Sequence, residues 1–345
     1  MFKRALTYDD VLLKPQYSSI ISRSDVDISS DLGNGTKLKI PIISSPMDTI
    51  TEGFMAFSMA RLGGLGIVHR YNSIEEQVKE VERGKCGQFT LAARNVGAAI
   101  GVSGDFLERA QELVNAGVSL LCVDVAHGHH ILMKEALSTL REKFGSELHI
   151  MAGNVASLAG INDLADWGAN SVRCNIGGGS ICSTRIQTGH GMPGLQTIID
   201  CVKTDRDVKI IADGGLRNSG DIVKALAAGA DAVMCGSLLG GTTETPGRVS
   251  VDNDGLRWKT YRGMASKEAQ IGWRGRYSSY EGVAAQIPYR GDMEPVLHDL
   301  ERGIRSGFSY SGARTLTELQ AKAEFIFQTP SGLSESKTHI VGRKW

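Results

Sequence analysis

Short apolar runs alternate along this chain with longer segments of helical periodicity. The runs are Ile40 to Ser45, Leu65 to His69, Val96 to Gly101, Leu120 to Val125, Ile150 to Asn154, Ser171 to Ile176, Val208 to Asp213 and Ala232 to Gly236. Near-continuous apolar runs, unlike alternating ones, mark parallel strands covered on both faces. Eight such runs separated by helical segments predict an α/β fold, a single (β/α)8 TIM barrel. Of the helical segments, 105–116 puts Phe106, Ala110, Leu113 and Val114 on one face and stops at Gly117. The segment 219–228 behaves likewise and stops at Gly229. Beyond the eighth run, 240–258 is rich in Gly, Thr and charge without clear periodicity. The glycine- and aromatic-bearing stretch 261–291 reads as a mobile flap, about 265–291, over the barrel mouth. Helices over about 294–306 and 315–325 are expected to finish the barrel. The polar tail, about 328–345, is expected either to be poorly ordered or to reach a neighbouring subunit.

Composition narrows the classes. A length of 345 residues allows two domains, but α/β barrels of this size often form one, so 1–345 is read as one catalytic domain. The formal net charge is +0, which gives no electrostatic footprint for nucleic acid. No run approaches the ~20 apolar residues of a membrane span, and the first residues lack a signal-peptide core. The cysteines stand at 86, 122, 174, 182, 201 and 235 with no CxxC pair, so a zinc site is not expected. Cys122, Cys174 and Cys235 fall in apolar runs and read as buried hydrophobes. This usage fits a reducing, cytoplasmic setting.

The functional loops of such a barrel follow the C-terminal ends of its strands. Those ends carry Ser44-Ser45-Pro46-Met47-Asp48, Asp124-Val125-Ala126-His127-Gly128, Gly153-Asn154, Asn175 to Arg185, Asp213-Gly214-Gly215 and Gly236-Ser237. Each alone is an ordinary turn; together they surround one pocket. In Asn175-Ile176-Gly177-Gly178-Gly179-Ser180-Ile181-Cys182-Ser183-Thr184-Arg185 the glycines permit close approach to a ligand, and Ser180 can donate to a phosphate. Cys182 sits on a loop, where a thiol can become a reactive thiolate. Taken alone, the stretch reads first as a glycine-rich turn with a buried cysteine; the rest of the chain reverses that reading. Gly215 and Gly236 can offer backbone N–H groups to a phosphate, and Ser180 and Ser237 hydroxyls. Asp213 repels phosphate but suits a ribose diol. Phosphate plus diol means a nucleoside monophosphate, whose base would extend toward Cys182, with purine C2 a fitting electrophile. Asp124 and Asn154, across the mouth, suit a second ligand such as a nicotinamide cofactor. No GxGxxG is present, so that cofactor would bind on barrel loops. His127, His129 and His130 lack carboxylate partners on their loop and read as loop polarity, not metal ligands.

These residues resemble the family of inosine monophosphate dehydrogenase and guanosine monophosphate reductase. The likeness runs from Leu6-Thr7-Tyr8-Asp9-Asp10-Val11-Leu12-Leu13-Lys14-Pro15 through Ser44 to Thr49, Gly153-Asn154-Val155, the Cys182 loop, Ala212 to Gly215 and Tyr261-Arg262-Gly263-Met264. The resemblance implies a tetramer of barrels and a covalent bond between Cys182 and purine C2. It implies that Ser180, Gly215, Gly236 and Ser237 grip the phosphate, and that Asp213 binds the ribose. Ser45, Met47, Tyr261, Met264 and Ala265 would complete the substrate pocket. Asp124, Val125, Ala126, Asn154, Arg173 and Tyr277 would face the nicotinamide cofactor. The carbonyls of Gly177, Gly179 and Cys182 resemble a potassium-binding loop. That loop usually reads Gly-Ile-Gly-Pro-Gly-Ser; here Asn175 and Gly178 replace the first glycine and the proline.

The family's two reactions share their first intermediate. The dehydrogenase passes hydride from C2 to NAD and then activates water. The reductase expels ammonia from C2 and takes hydride from NADPH. Dehydrogenases usually carry inserted regulatory modules after the second helix; here 81–87 leads almost directly to the third strand. The flap is short, Tyr277 matches a reductase-flap tyrosine, and Glu281 matches the reductase's catalytic glutamate, which with Thr184 would protonate the departing amine. Arg276-Tyr277 and Gly332-Leu333-Ser334-Glu335-Ser336 resemble dehydrogenase features instead. The sequence therefore favours a GMP reductase using NADPH, with an IMP dehydrogenase using NAD as the alternative. A catalytically dead nucleotide-binding barrel stands behind both, since Cys182, Thr184 and Glu281 are all present.

Overall fold

The computed structural model describes residues 3–85 and 95–338. Eight parallel strands form its centre: β1 (Ile42–Ser44), β2 (Leu65–Val68), β3 (Val96–Ile100), β4 (Leu120–Asp124), β5 (His149–Val155), β6 (Ser171–Cys174), β7 (Lys209–Asp213) and β8 (Ala232–Cys235). They pair in chain order, and β8 closes onto β1 through Val233 beside Ile42 and Cys235 beside Ser44. Every apolar run of the sequence is a barrel strand.

The strands are apolar on both faces because both faces are covered. Ile43, Leu65, Ile67, Leu120, Met151, Ile211 and Met234 point inward and pack together. Their alternates, among them Ile42, Val68, Leu121, Val123, Ile150, Val172 and Ile210, face the helices. Each such buried aliphatic side chain contributes about 1.5–3 kcal/mol. A hairpin of Ser30–Asp31 and Lys37–Leu38 sends Leu32 and Leu38 into the inner cluster and closes the N-terminal end.

The helices follow their capping signals. Phe106–Asn115 starts after Asp105, and Ser219–Ala227 is capped by Asn218, whose side chain accepts from the Asp221 amide. The helix Ile131–Phe144 begins at His130, whose Nδ1 accepts from the Leu132 amide.

After β8 the structure departs from expectation. Ser250–Val251, Arg257–Arg262 and Ala284–Pro288 form an antiparallel three-stranded sheet. The flap is therefore not one loose stretch. Its helix, Lys267–Arg274, is carried between two paired strands, capped by the Ser266 side chain and stopped at Gly275 with φ +68. Of the two helices expected to finish the barrel, the first runs longer, Met293–Tyr310, and the second is shorter, Leu316–Lys322. Phe325, expected to end that helix, instead opens the strand Phe325–Phe327, which pairs with Val11–Leu13. The tail is ordered through its described part. The Gln328 side chain donates to the Asp9 carbonyl at 2.7 Å, and Pro330–Glu335 is helical under a Thr329 cap. Cys86, residues 339–345 and the end of the 81–87 junction lie outside the described residues. Among those described, no helix is long and apolar enough to cross a membrane.

Candidate active site

The strand ends open into a cavity of about 430 Å³ at the C-terminal mouth. All the residues expected to bind or react line it, with one exception, Tyr277. Tyr277 is 44% exposed and packs instead on Tyr280 and under the Lys267 ammonium. Arg276 is exposed and also outside the lining.

One wall joins the loops after β1, β6 and β8 to the flap sheet. Gly236 must be glycine, since a Cβ there would lie 2.9 Å from the Tyr261 hydroxyl and 3.1 Å from Met47 Sδ. Tyr261 stands on the flap sheet, its hydroxyl 3.3 Å from Ser180 Oγ. Burial raises its pKa, against hydrogen bonds from Ser180 and Ser237. The loop after β1 is held to the flap base: Asp48 accepts from Arg262 Nη2 at 2.6 Å and Nε at 3.0 Å, and its amide meets Met264 Sδ at 3.2 Å.

The opposite wall is a charge network. Arg173, 3% exposed, projects from β6 between Asp124 on β4 and Asp213 on β7. It bonds Asp124 through Nη2 and lies 3.4 Å from Asp213 through Nη1. Burial opposes the Arg173 charge, but the neighbouring negative groups outweigh it and hold its pKa above the ordinary arginine value. Burial raises the Asp213 pKa; Arg173 and a 2.7 Å bond from Asn154 Nδ2 oppose that rise. Gly153, before Asn154, admits no side chain, because a Cβ would lie 2.7 Å from Arg173 Cβ.

The nucleophile candidate lies between the walls. Cys182 is the only described cysteine that is not buried; Cys122 and Cys235 have thiols that burial pushes up to about 12. Cys182 Sγ is 3.1 Å from Thr184 Oγ1, which donates to Glu281 Oε2 at 2.7 Å. The flap is joined to this loop by backbone bonds: Ser183 N to Glu281 O at 2.8 Å and Val283 N to Ile181 O at 3.0 Å. Thiol, hydroxyl and carboxylate thus form one chain along which a proton can move.

The carbonyls of Gly177 and Cys182 accept no hydrogen bond among the described residues, while that of Gly179 accepts from the Cys182 amide at 3.1 Å. Neutral carbonyl oxygens of this kind suit a monovalent cation. Elsewhere His129 Nε2 pairs with Asp163 at 2.8 Å, and the described residues hold no cluster of metal-binding side chains.

Sequence reasoning missed Arg70 and Tyr71, just past β2, and Gln270 on the flap helix, all of which line the cavity. Arg70 Nη2 donates to the Asp124 carbonyl at 3.2 Å, and Tyr71 stacks on Trp273 with centroids 6.0 Å apart. The available signal was position alone: Arg70 follows directly on a predicted strand end.

Comparison with known proteins agrees with this geometry. The family model described as "IMP dehydrogenase / GMP reductase domain" matches residues 5–339. The inosine-5'-monophosphate dehydrogenase of Nitrosopumilus maritimus is 35% identical over 475 residues, covering 99% of each chain. That of Cryptosporidium parvum is 38% identical over 388 residues, covering 98% of this chain and 96% of its own. A crystal structure of a cysteine-to-alanine variant of Trypanosoma brucei GMP reductase with guanosine 5'-monophosphate superposes with TM-score 0.92 at 31% identity, covering 98% of each chain. The chain belongs to the IMP dehydrogenase / GMP reductase family and is a purine nucleotide oxidoreductase of that family.

Proposed function

We propose that this enzyme is a GMP reductase, converting GMP to IMP and ammonia with NADPH through a covalent bond between Cys182 and purine C2. The Cys182–Thr184–Glu281 chain carries the reading, because loss of an amine from C2 needs a proton donor beside the sulfur. The phosphate rests against Ser180, Gly215, Gly236 and Ser237, the ribose on Asp213, and the base between Met47, Met264 and Cys182. The Cys182 thiolate adds to C2, the C2–N bond breaks, and the amine leaves with a proton from Glu281 through Thr184. The sum is GMP + NADPH + 2 H+ giving IMP + NADP+ + NH4+.

The wall of Asp124, Val125, Ala126, Asn154 and Arg173 would hold the nicotinamide. The donor set fits, since Arg70 Nε and Arg173 Nε are buried there without hydrogen-bond partners. When bound, the nicotinamide supplies the hydride that releases the thiolate. A potassium ion would be held by the carbonyls of Gly177, Gly179 and Cys182. We also assign a homotetramer: Tyr17, Ile21, Ile186 and Phe327 are 92%, 99%, 84% and 78% exposed, surface that neighbouring subunits would cover. Light scattering on a sizing column tests this.

The second reading, oxidation of IMP to XMP with NAD, draws on the names of the curated relatives. The missing insert does not oppose it. The Cryptosporidium parvum and Borreliella burgdorferi dehydrogenases align over only 388 and 397 residues, against 475 for Nitrosopumilus maritimus. The placement of Arg276 outside the cavity opposes this reading; Tyr277 lies outside too, but is expected in both readings and separates neither. Near-ultraviolet nicotinamide absorbance in two mixtures, both with potassium, tests the choice. GMP plus NADPH losing absorbance with ammonia released supports the reductase; IMP plus NAD gaining it supports the dehydrogenase.

A further inference from the structure

Asn175 opens the Cys182 loop, directly after β6, where the family pattern has glycine. It is 5% exposed and sits between the active-site cavity and a smaller one of about 160 Å³. Its Nδ2 donates to the Asp213 carbonyl at 2.7 Å and lies 3.3 Å from the Gly214 carbonyl. One amide therefore ties the loop bearing the nucleophile to the turn bearing the ribose ligand. The two segments lie close: a Cβ on Gly215 would reach the Gly178 carbonyl at 2.7 Å, and one on Gly214 would reach Gly179 Cα at 3.6 Å.

The second departure from the family pattern belongs to the same device. A Cβ on Gly178 would lie 2.4 Å from Asn175 Nδ2 and 2.6 Å from its Oδ1. No side chain fits at 178 while the amide keeps its place. Asn175 and Gly178 are one compensated exchange, in which the amide fills the space and takes up contacts to the neighbouring turn.

We infer that Asn175 is a positioning residue that fixes the Cys182 loop from within the chain, so that the nucleophile keeps its setting whether or not a monovalent cation occupies the carbonyls of Gly177, Gly179 and Cys182. This rests on Cys182 being the nucleophile, but not on the direction of the reaction. A cation would shape the loop by drawing its carbonyls together; the amide constrains the same segment from the adjoining turn.

The test follows alkylation of Cys182 by iodoacetamide in the full-length protein, with and without GMP, in potassium chloride and in choline chloride. The variants are Asn175→Asp, which keeps the outline but presents oxygen to the carbonyls, Gly178→Ala, and Asn175→Gly combined with Gly178→Ala. Wild type is expected to show the same GMP protection in both salts, within about 2-fold, whereas Asn175→Asp loses ~10-fold in choline and regains it in potassium. Gly178→Ala, whose Cβ displaces the amide, loses protection in both salts, and the double variant regains it in potassium, a non-additive pattern that unrelated sites do not give. Thermal melts run alongside separate a loop effect from unfolding, and the two-salt comparison of wild type needs no variant. Turnover of GMP or IMP reports on the functional reading separately. Wild type losing protection when potassium is withdrawn, or Asn175→Asp matching wild type in choline, overturns the inference.

Discussion

Thr184 donates its hydroxyl hydrogen to Glu281 at 2.7 Å while the same oxygen lies 3.1 Å from Cys182 Sγ. Two segments 97 residues apart in sequence thus meet at the Cys182 sulfur. Glu281→Gln keeps the shape and removes the acid. It is expected to lower the rate of ammonia release by ~10²–10⁴-fold, with the GMP dissociation constant little changed. Single-turnover kinetics with an ammonia assay check this; near-normal release counts against the role.

Cys182→Ala removes the nucleophile but leaves the phosphate and ribose contacts. Turnover should vanish while GMP still binds, measured by calorimetry. Loss of binding together with activity would show that the roles of the two walls are not separable. In wild type, Cys182 should alkylate far faster than Cys122, Cys174, Cys201 and Cys235, all of which are buried.

Arg173 is the shared counter-charge of two carboxylates, Asp124 and Asp213. Arg173→Met would leave Asp213 without a cationic partner and Asp124 with only the longer Arg70 contact at 3.9 Å. A loss of ~3–5 kcal/mol of stability is expected, read from urea unfolding. A melt within a degree of wild type would contradict the network.

His149 gives the pH dependence of stability. It is wholly buried, its Nδ1 facing the Gly33 carbonyl at 3.3 Å and its Nε2 meeting Ser171 Oγ at 2.8 Å. Burial lowers its pKa from 6.5 to about 4. As pH falls below 6.5 the unfolded chain takes up a proton that the folded one refuses until about 4. The stability is therefore complete above 6.5 and is drained between there and about 4, by ~3 kcal/mol at most. His149→Gln should flatten that part of the curve, measured by denaturant titrations at several pH values. An unchanged slope would contradict it.

The barrel was legible because its strands are buried on both faces, so Leu120 to Val123 reads as strand without knowledge of any partner. The flap sheet was not legible. In Arg257–Arg262 exposed and buried positions alternate among polar residues, Lys259 being buried only because its ammonium reaches the carbonyls of Thr242 and Thr245. Val11–Leu13 and Phe325–Phe327 pair across most of the chain, a contact no local pattern encodes. Cys182, Asp213 and Glu281 could be picked out because each ends a strand or fits a motif. Arg70 had only its place after a predicted strand end, and Gln270 had no signal, since only the folded chain turns it into the cavity.

The most direct measurement is mass spectrometry of the Cys182 peptide after acid quench of enzyme incubated with GMP. The account predicts a purine nucleotide bound through C2 to Cys182, with one ammonia released per adduct and no adduct in Cys182→Ala. No modified Cys182 peptide under conditions of active turnover would contradict covalent catalysis.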